Sequence, residues 1–330
     1  MPAQKAVVGA VRPQEIGQAS GTLMMLWILG GHARRTRSTR QTTGDRGRAT
    51  ADAERTGDDR LGRVDIQSFE MEKSMASDVA DLKASAERLR ELHSKDMLVL
   101  PNAWDATSAT IVAEAGFPVV ATASNAVAAM LGYPDGEGAP WQEMFAAAGR
   151  IARAVSVPVT MDAEAGYGMR PRELVDRLLD IGVVGCNLED TDHRAGGLVE
   201  AGAHAEWLAG VRAAADDAGV PIVVNARVDT FLPPSGIPEA DRVTEAIRRG
   251  RLYREVGADC IYPIGVRDKH VLATLVAELP GPINGNTGES LDLAALRELG
   301  VARVSYGPRF YHAAMADLRT KVQQLLADLP

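Results

Sequence analysis

The stretch VPVTMDAEAGYG, residues 157–168, decides the reading of this chain. Val157 to Met161 form an apolar run of the kind that makes a strand buried on both faces of a parallel sheet. The run ends in two carboxylates, Asp162 and Glu164, followed by a turn containing Gly166 and Gly168. Side chains two apart in a strand share a face, so the spacing predicts that Asp162 and Glu164 point the same way at the strand's carboxyl end. Two carboxylates held together repel unless a cation or a shared proton relieves them. A hard, oxygen-seeking ion such as Mg²⁺ would do so. The competing reading is that the acids only cap the helix that follows.

Outward from this segment the pattern repeats. Strand candidates fall at 97–103, 119–124, 157–164, 183–190, 221–229, 258–265, 282–286 and 302–307. Amphipathic segments such as 171–181, 204–218 and 239–256 lie between them. Several helix-to-strand joints read AGF, IGV, AGV, VGA or LGV, where a glycine ends the helix and a strand begins. Eight such repeats predict an α/β fold, a (β/α)8 TIM-type barrel spanning residues 76–330. An open doubly wound sheet is the alternative, but no Gly-rich dinucleotide fingerprint follows the first strand. A further helix is predicted over 77–93, with Ser77 as its N-cap, covering the barrel's bottom or side.

Active sites of such barrels lie at the carboxyl ends of the strands. Those ends carry Asn102, Trp104 and Asp105 after strand one, and Ser124 and Asn125 after strand two, with Asp135 in the following loop. Asp162 and Glu164 follow strand three, Glu189 and Asp190 strand four, Arg227 and Asp229 strand five, Asn284 and Asn286 strand seven. The set Asp162, Glu164 and Glu189 suits a Mg²⁺ that keeps several waters, and Arg227 suits a carboxylate or phosphonate on the substrate. The metal would stabilise a developing enolate as a Lewis acid. Otherwise Arg227 makes a salt bridge to Glu189 or Asp229 and meets no substrate.

Composition bounds the rest. The 330 residues carry a net charge of −8, which gives no sign of nucleic-acid or membrane-surface binding. Cys186 and Cys260 sit in apolar runs, as buried thiols of a cytoplasmic protein do. Residues 1–75 differ in character: the part from Gly31 to Arg63 is rich in Arg, Thr, Gly and Asp and poor in large apolar residues, a composition that predicts disorder. The run Leu23–Leu29 is too short to span a bilayer and lacks the layout of a signal peptide. This extension reads as a dispensable tail or as a start called too early, with Met71 or Met75 as the true one; a targeting role is the third possibility.

Five pieces, in this order, resemble the isocitrate lyase / phosphoenolpyruvate mutase superfamily: PNAWDATSA (101–109), LGYPD (131–135), DAEAGYG (162–168), NLED (187–190) and NARVDTF (225–231). The resemblance implies a barrel whose Mg²⁺, or Mn²⁺ in its place, holds a pyruvate-, oxalate- or enolate-like fragment. It implies metal ligands at Asp162, Glu164 and Glu189, and catalytic roles for Asp135, Glu189 and Arg227. It implies substrate contacts at Trp104, Asp105, Ser124, Asn125 and Arg227, with backbone amides near Ser124 and Asn125 on the substrate's carboxylate; Asn284, polar at the end of strand seven, is a further substrate-binding candidate from its position alone. It also implies a homo-oligomer, a dimer or tetramer, in which the last helix packs on a neighbour. The amphipathic segment 311–326 is equally suited to closing its own barrel.

The departures are specific. The lyases' Lys-Lys-Cys-Gly lid, whose cysteine is a general acid, is replaced by DTDHRAGGLVEAG (190–202). Strand six ends IYPIG (261–265), without the mutases' histidine. His193 and Arg194 read as a solvated turn or as a proton and charge source, while Gly196 and Gly197 have the freedom a closing lid needs. The leading expectation is a Mg²⁺-dependent carbon–carbon lyase acting on a small 2-alkylmalate- or isocitrate-like acid through a metal-bound enolate. The alternatives are an oxaloacetate-type hydrolase or decarboxylase, a phosphonate P–C enzyme, and a barrel that binds a dicarboxylate without turnover.

Overall fold

The computed structural model describes residues 66–329. The expectations for residues 1–65, including the run Leu23–Leu29, lie outside the described residues. Nine strand segments follow one another: β1 (Leu98–Leu100), β2 (Asn102–Ala103), β3 (Val120–Thr122), β4 (Val159–Asp162), β5 (Gly185–Glu189), β6 (Val223–Val228), β7 (Cys260–Pro263), β8 (Asn284–Asn286) and β9 (Arg303–Ser305). The helices are α1 (Ile66–Lys95), α2 (Ala106–Glu114), α3 (Ser124–Leu131), α4 (Trp141–Ala154), α5 (Pro171–Asp180), α6 (Ala201–Asp217), α7 (Arg242–Glu255), α8 (Lys269–Glu278), α9 (Leu293–Glu298) and α10 (Arg309–Ala327).

All pairings between these strands are parallel. Strands β2 to β7 run side by side in chain order, and β1, β9 and β8 form a second row. Pro101 divides the first predicted strand into β1 and β2, because proline cannot donate to the ladder. β1 pairs with β9 while β2 pairs with β3, so this one stave joins both rows. A single bridge between Ile261 and Ile283 joins them at the other side. The result is the expected TIM barrel. All five residues of β5 are buried, as a strand covered by helices outside and side chains inside must be. The helix-ending glycines take left-handed backbone, as at Gly182 (φ +79°) and Gly257 (φ +102°).

α1 departs from expectation in length. It runs unbroken through residues 76 and 77, so Ser77 lies inside it and is no N-cap, and the expected boundary at 75/76 falls within the helix. Its carboxyl-terminal half closes the barrel's amino-terminal end. Leu89 is fully buried, and a Cβ at Gly185 would come within 2.6 Å of its Cδ2, so the glycine makes room for the plug. Arg90 reaches Asp259 ahead of β7, with Nε 3.0 Å from Oδ1, and Arg212 pairs with the same carboxylate. The residues that open toward solvent at the other end are therefore free to build a site.

Candidate active site

The carboxyl ends of β3 to β6 surround a cavity of about 310 Å³, lined among others by Ser124, Asp135, Glu164, Glu189, His193 and Arg227. Beneath it lies a smaller cavity of about 100 Å³ that adds Asn125, Asp162, Asn187 and Tyr262.

Asp162 ends β4. Its Oδ2 accepts hydrogen bonds from the Ser124 backbone N–H (3.1 Å) and Oγ (2.9 Å), where α3 begins. Its Oδ1 meets only a long contact from Asn187 Nδ2 (3.4 Å) and the Arg227 guanidinium at 4.0 Å. The simple alternation argument does not extend to Glu164. The strand stops at Asp162, and Glu164 takes left-handed backbone (φ +50°) in the turn. That conformation is uncommon for a side chain other than glycine. It is held by the backbone N–H groups of Gly136 (2.9 Å) and Glu137 (2.7 Å) donating to Oε1, and by the Tyr167 hydroxyl donating to Oε2. At Gly166 (φ +83°) a Cβ would stand 2.7 Å from the Trp207 ring, so the glycine is sterically required. Burial raises the Glu164 pKa, against the pull of these donors.

Glu189 ends β5 and is buried between two partners, the Arg227 guanidinium on Oε2 and the His193 ring on Oε1. Burial pushes its pKa up and Arg227 pulls it down. The hydrogen bond to Glu189 raises the His193 pKa. Arg227 also forms a two-pronged pair with Asp229, Nε to Oδ1 and Nη2 to Oδ2, both 2.7 Å. Both salt bridges weighed for Arg227 thus exist together. Asp229 is anchored in turn by Thr191 Oγ1 (2.6 Å), and its N–H donates to Asp190 Oδ1 (2.9 Å). Asp190 Oδ2 receives Arg249 (3.0 Å) and the Tyr253 hydroxyl (2.8 Å). Such a chain fixes a planar guanidinium before any ligand arrives.

Several expected contacts lie elsewhere. Asp105 caps α2, accepting from Ser108 N–H at 2.7 Å, because a helix starting directly after the strand leaves its first amides unpaired. Trp104 packs edge-on against Tyr311, centroids 5.5 Å apart. Asn284 is fully buried, its Oδ1 accepting from Ser305 Oγ (3.1 Å). None of these three lines either cavity. Asn125 does line the smaller one, and its Nδ2 donates to Asp135 Oδ2 (3.3 Å). Ser124 directs its N–H and hydroxyl at Asp162, not at an open anion position.

The expected lid is a bonded hairpin. Thr191 bridges Leu198 antiparallel, Gly196 N–H donates to Asp192 O (2.9 Å), and Gly196 and Gly197 make the turn, both at φ +79°. His193 turns inward onto Glu189, whereas Arg194 is exposed. Of the two readings of His193, the inward position excludes the solvated turn. The position of His193 four residues after Glu189 was the available signal. Tyr167 and Thr191 were missed altogether.

Among the described residues, no three Asp, Glu, His or Cys side chains stand together as a ready metal cage. Glu164 is engaged by loop amides and Glu189 by Arg227 and His193. The donor chemistry still fits one water-rich divalent ion. Asp135, Asp162, Glu164, Glu189 and Asp229 outnumber Arg227 and His193, and Asp162 Oδ1 lacks a close partner. Mg²⁺ binds through one or two carboxylates plus waters and ligand oxygens, which such a pocket can offer.

Behind the site, His204 is stacked on Trp207 (5.8 Å) and edge-on to Tyr253 (5.1 Å). Burial, then Arg249, lowers its pKa to about 4. The unfolded chain takes up this proton below about pH 6.5 while the folded one does not, so stability present above that pH is lost as pH falls toward 4. His204→Phe is expected to remove about 2 kcal/mol of the stability lost between pH 7 and 5. Urea unfolding of both proteins at the two pH values checks this; parallel losses would refute it.

A (β/α)8 barrel with a buried arginine and carboxylates at its carboxyl-terminal face belongs to the class of barrels that handle small anions. The family model for phosphoenolpyruvate phosphomutase matches residues 89–326. The chain is 32% identical over 226 residues to an uncharacterized protein of Mycobacterium tuberculosis, covering 68% of this chain and 83% of that one. It is 29% identical to the 2,3-dimethylmalate lyase of Eubacterium barkeri (72% and 83% covered). The crystal structure of a provisionally named phosphonomutase from Burkholderia cenocepacia superposes with a TM-score of 0.68 at 38% identity, covering 73% of this chain and 99% of that one. The protein belongs to the phosphoenolpyruvate phosphomutase family, within the isocitrate lyase / phosphoenolpyruvate mutase superfamily of enzymes.

Proposed function

We propose that the protein is a Mg²⁺-dependent carbon–carbon lyase that cleaves a small 2-alkylmalate-like acid to a 2-oxo acid and a second carboxylic acid. The carrying observation is that two adjoining cavities sharing Arg227 bring together Asp162 and a His193 held on Glu189. When bound at Asp162, Mg²⁺ supplies Lewis-acid stabilisation of charge developing on the 2-oxo acid's oxygens. Arg227, its Nε and Nη2 held by Asp229, offers Nη1 to a carboxylate of the substrate. Asp135, which lines both cavities, takes the hydroxyl proton. The carbon–carbon bond then breaks, its electron pair passes to the leaving carbon, and His193 protonates that carbon in place of the absent lid cysteine. The hairpin residues Thr191, Asp192, Gly196 and Gly197 line the larger of these two cavities beside His193.

A decarboxylase or hydrolase of oxaloacetate is the second reading, supported by 30% identity to the oxaloacetate decarboxylase of a Bradyrhizobium strain. The deciding experiment is calorimetric titration of oxalate with and without Mg²⁺, followed by a turnover screen of 2-alkylmalates, oxaloacetate and phosphonates. Mg²⁺-dependent oxalate binding with 2-alkylmalate cleavage is the expected outcome. Absence of oxalate binding in both conditions overturns the site and favours a barrel without turnover.

We infer further that the protein is a cytoplasmic homo-oligomer. Among the described residues no helix is long and apolar enough to cross a membrane. α10 buries none of its residues and exposes Leu318, Val322, Leu325 and Leu326, so it does not close its own barrel with that stripe. A monomer by light scattering would refute the assembly.

A further inference from the structure

A third cavity, of about 900 Å³, lies over the carboxyl ends of β7, β8 and β9. It adjoins the inner cavity: Tyr262, Ile264, Gly307 and Pro308 line both, and Leu232 is shared with the outer one. Tyr262 forms a fixed threshold, since it is buried and its hydroxyl donates to Asn286 Oδ1 at 2.9 Å. The reacting part of a four-carbon acid needs no more than the inner and outer cavities, which leaves this chamber unused.

The chamber's walls combine two chemistries. Leu232, Ile264, Val266 and Tyr306 offer apolar surface. At its rim the lining holds two exposed arginines, Arg267 and Arg309, and one exposed acid, Glu289, a net positive charge. Arg309 is held in place, with Nη1 2.6 Å from Thr287 Oγ1 and Nη2 on the Thr287 carbonyl. The Arg267 side chain makes no hydrogen bond or ion pair among the described residues, although its backbone carbonyl accepts from Ser290. A guanidinium already oriented and another without an anion suit a terminal carboxylate at the end of an apolar stem.

We propose that this chamber receives the arm of the substrate that points away from the reacting carbons, and that the arm is an apolar chain ending in a carboxylate. The inference rests on the 2-alkylmalate-like reading above and deepens it: the alkyl arm of that acid is itself an apolar chain with a terminal carboxylate. The apolar walls contribute about four-fold in affinity per methylene removed from water. The two arginines select the charged terminus.

The test is calorimetry on the full chain with Mg²⁺, using pyruvate, 2-oxooctanoate and 2-oxooctanedioate, which share one head and differ in the arm. The expected result is that 2-oxooctanedioate binds at least ten-fold more tightly than either of the others. The double variant Arg267→Gln/Arg309→Gln is expected to bring its affinity down to that of 2-oxooctanoate. Gly288→Leu, at a lining position where an added Cβ meets nothing within 4 Å, is expected to weaken both long acids relative to pyruvate. Equal affinities for pyruvate and 2-oxooctanedioate, or an advantage that survives the double variant, overturn the proposal. Oxalate, titrated alongside, separates the two readings. Oxalate binding without any gain from the arm overturns the chamber alone. Arginine-dependent binding of 2-oxooctanedioate without oxalate binding supports the chamber and overturns the enolate site. No binding of any probe overturns both.

Discussion

Arg227→Ala is expected to abolish measurable oxalate binding and to destabilise the protein by about 3–5 kcal/mol. The two effects have one cause. Arg227 is 11% exposed and sits among Glu189, Asp229 and Asp162. Removing it takes away the only arginine that lines these two cavities among the described residues and leaves buried carboxylates without their counter-charge. A buried ion pair broken from one side costs far more than an exposed one, because the remaining charge has neither water nor partner. Urea unfolding gives the stability term and calorimetry the binding term. Arg227→Lys should restore part of the stability but little affinity, since an ammonium cannot span Glu189 and Asp229 as a planar fork does. Native-like affinity in the alanine variant would remove Arg227 from ligand recognition.

Asp162→Asn is the complementary case, expected to lose Mg²⁺-dependent oxalate binding by about a hundred-fold or more while the fold keeps its stability. An amide oxygen can still accept from Ser124 N–H and Oγ, so the local hydrogen bonds survive. What disappears is the formal charge that a hard divalent ion requires. Calorimetry with and without Mg²⁺ reads the loss, and thermal melting reads the fold. Unchanged Mg²⁺-dependent binding would place the metal on other residues. A large fall in stability would show that Asp162 acts through its charge on Arg227, 4.0 Å away.

The barrel was legible because its signals are local and repeated. Apolar runs such as Val183–Leu188, glycines such as Gly182 at the joints, and amphipathic segments such as 171–181 follow from periodicity, which needs no knowledge of neighbours. The strand split at Pro101 was open to the same logic, since proline's missing donor is a property of one residue. The start of α1 was not: Ser77 resembles an N-cap, but nothing in a short window shows that the helix began earlier. Asp105 and Trp104 stand directly after the first strand, as site residues do. The structure uses one to cap α2 and the other to pack on Tyr311.

By itself, the sequence determined the parallel (β/α)8 order and which end of the barrel gathers polar residues, including Asp162, Glu189 and Arg227. Strand alternation and the direction of each βα unit are properties of the covalent chain. Only the tertiary structure decided how those residues are used. It turned Glu164 onto the amides of Gly136 and Glu137, brought His193 onto Glu189, and tied Arg227 to Asp229. It also placed Arg267 and Arg309 on one chamber beside the inner site. The Glu164 contacts and the shared chamber depend on distances between segments far apart in sequence. The His193–Glu189 and Arg227–Asp229 contacts are only four and two residues apart and depend on how the hairpin and the strand end turn those side chains, and on burial. Burial sets both the cost of an unpaired charge and the proton affinity of the groups that remain.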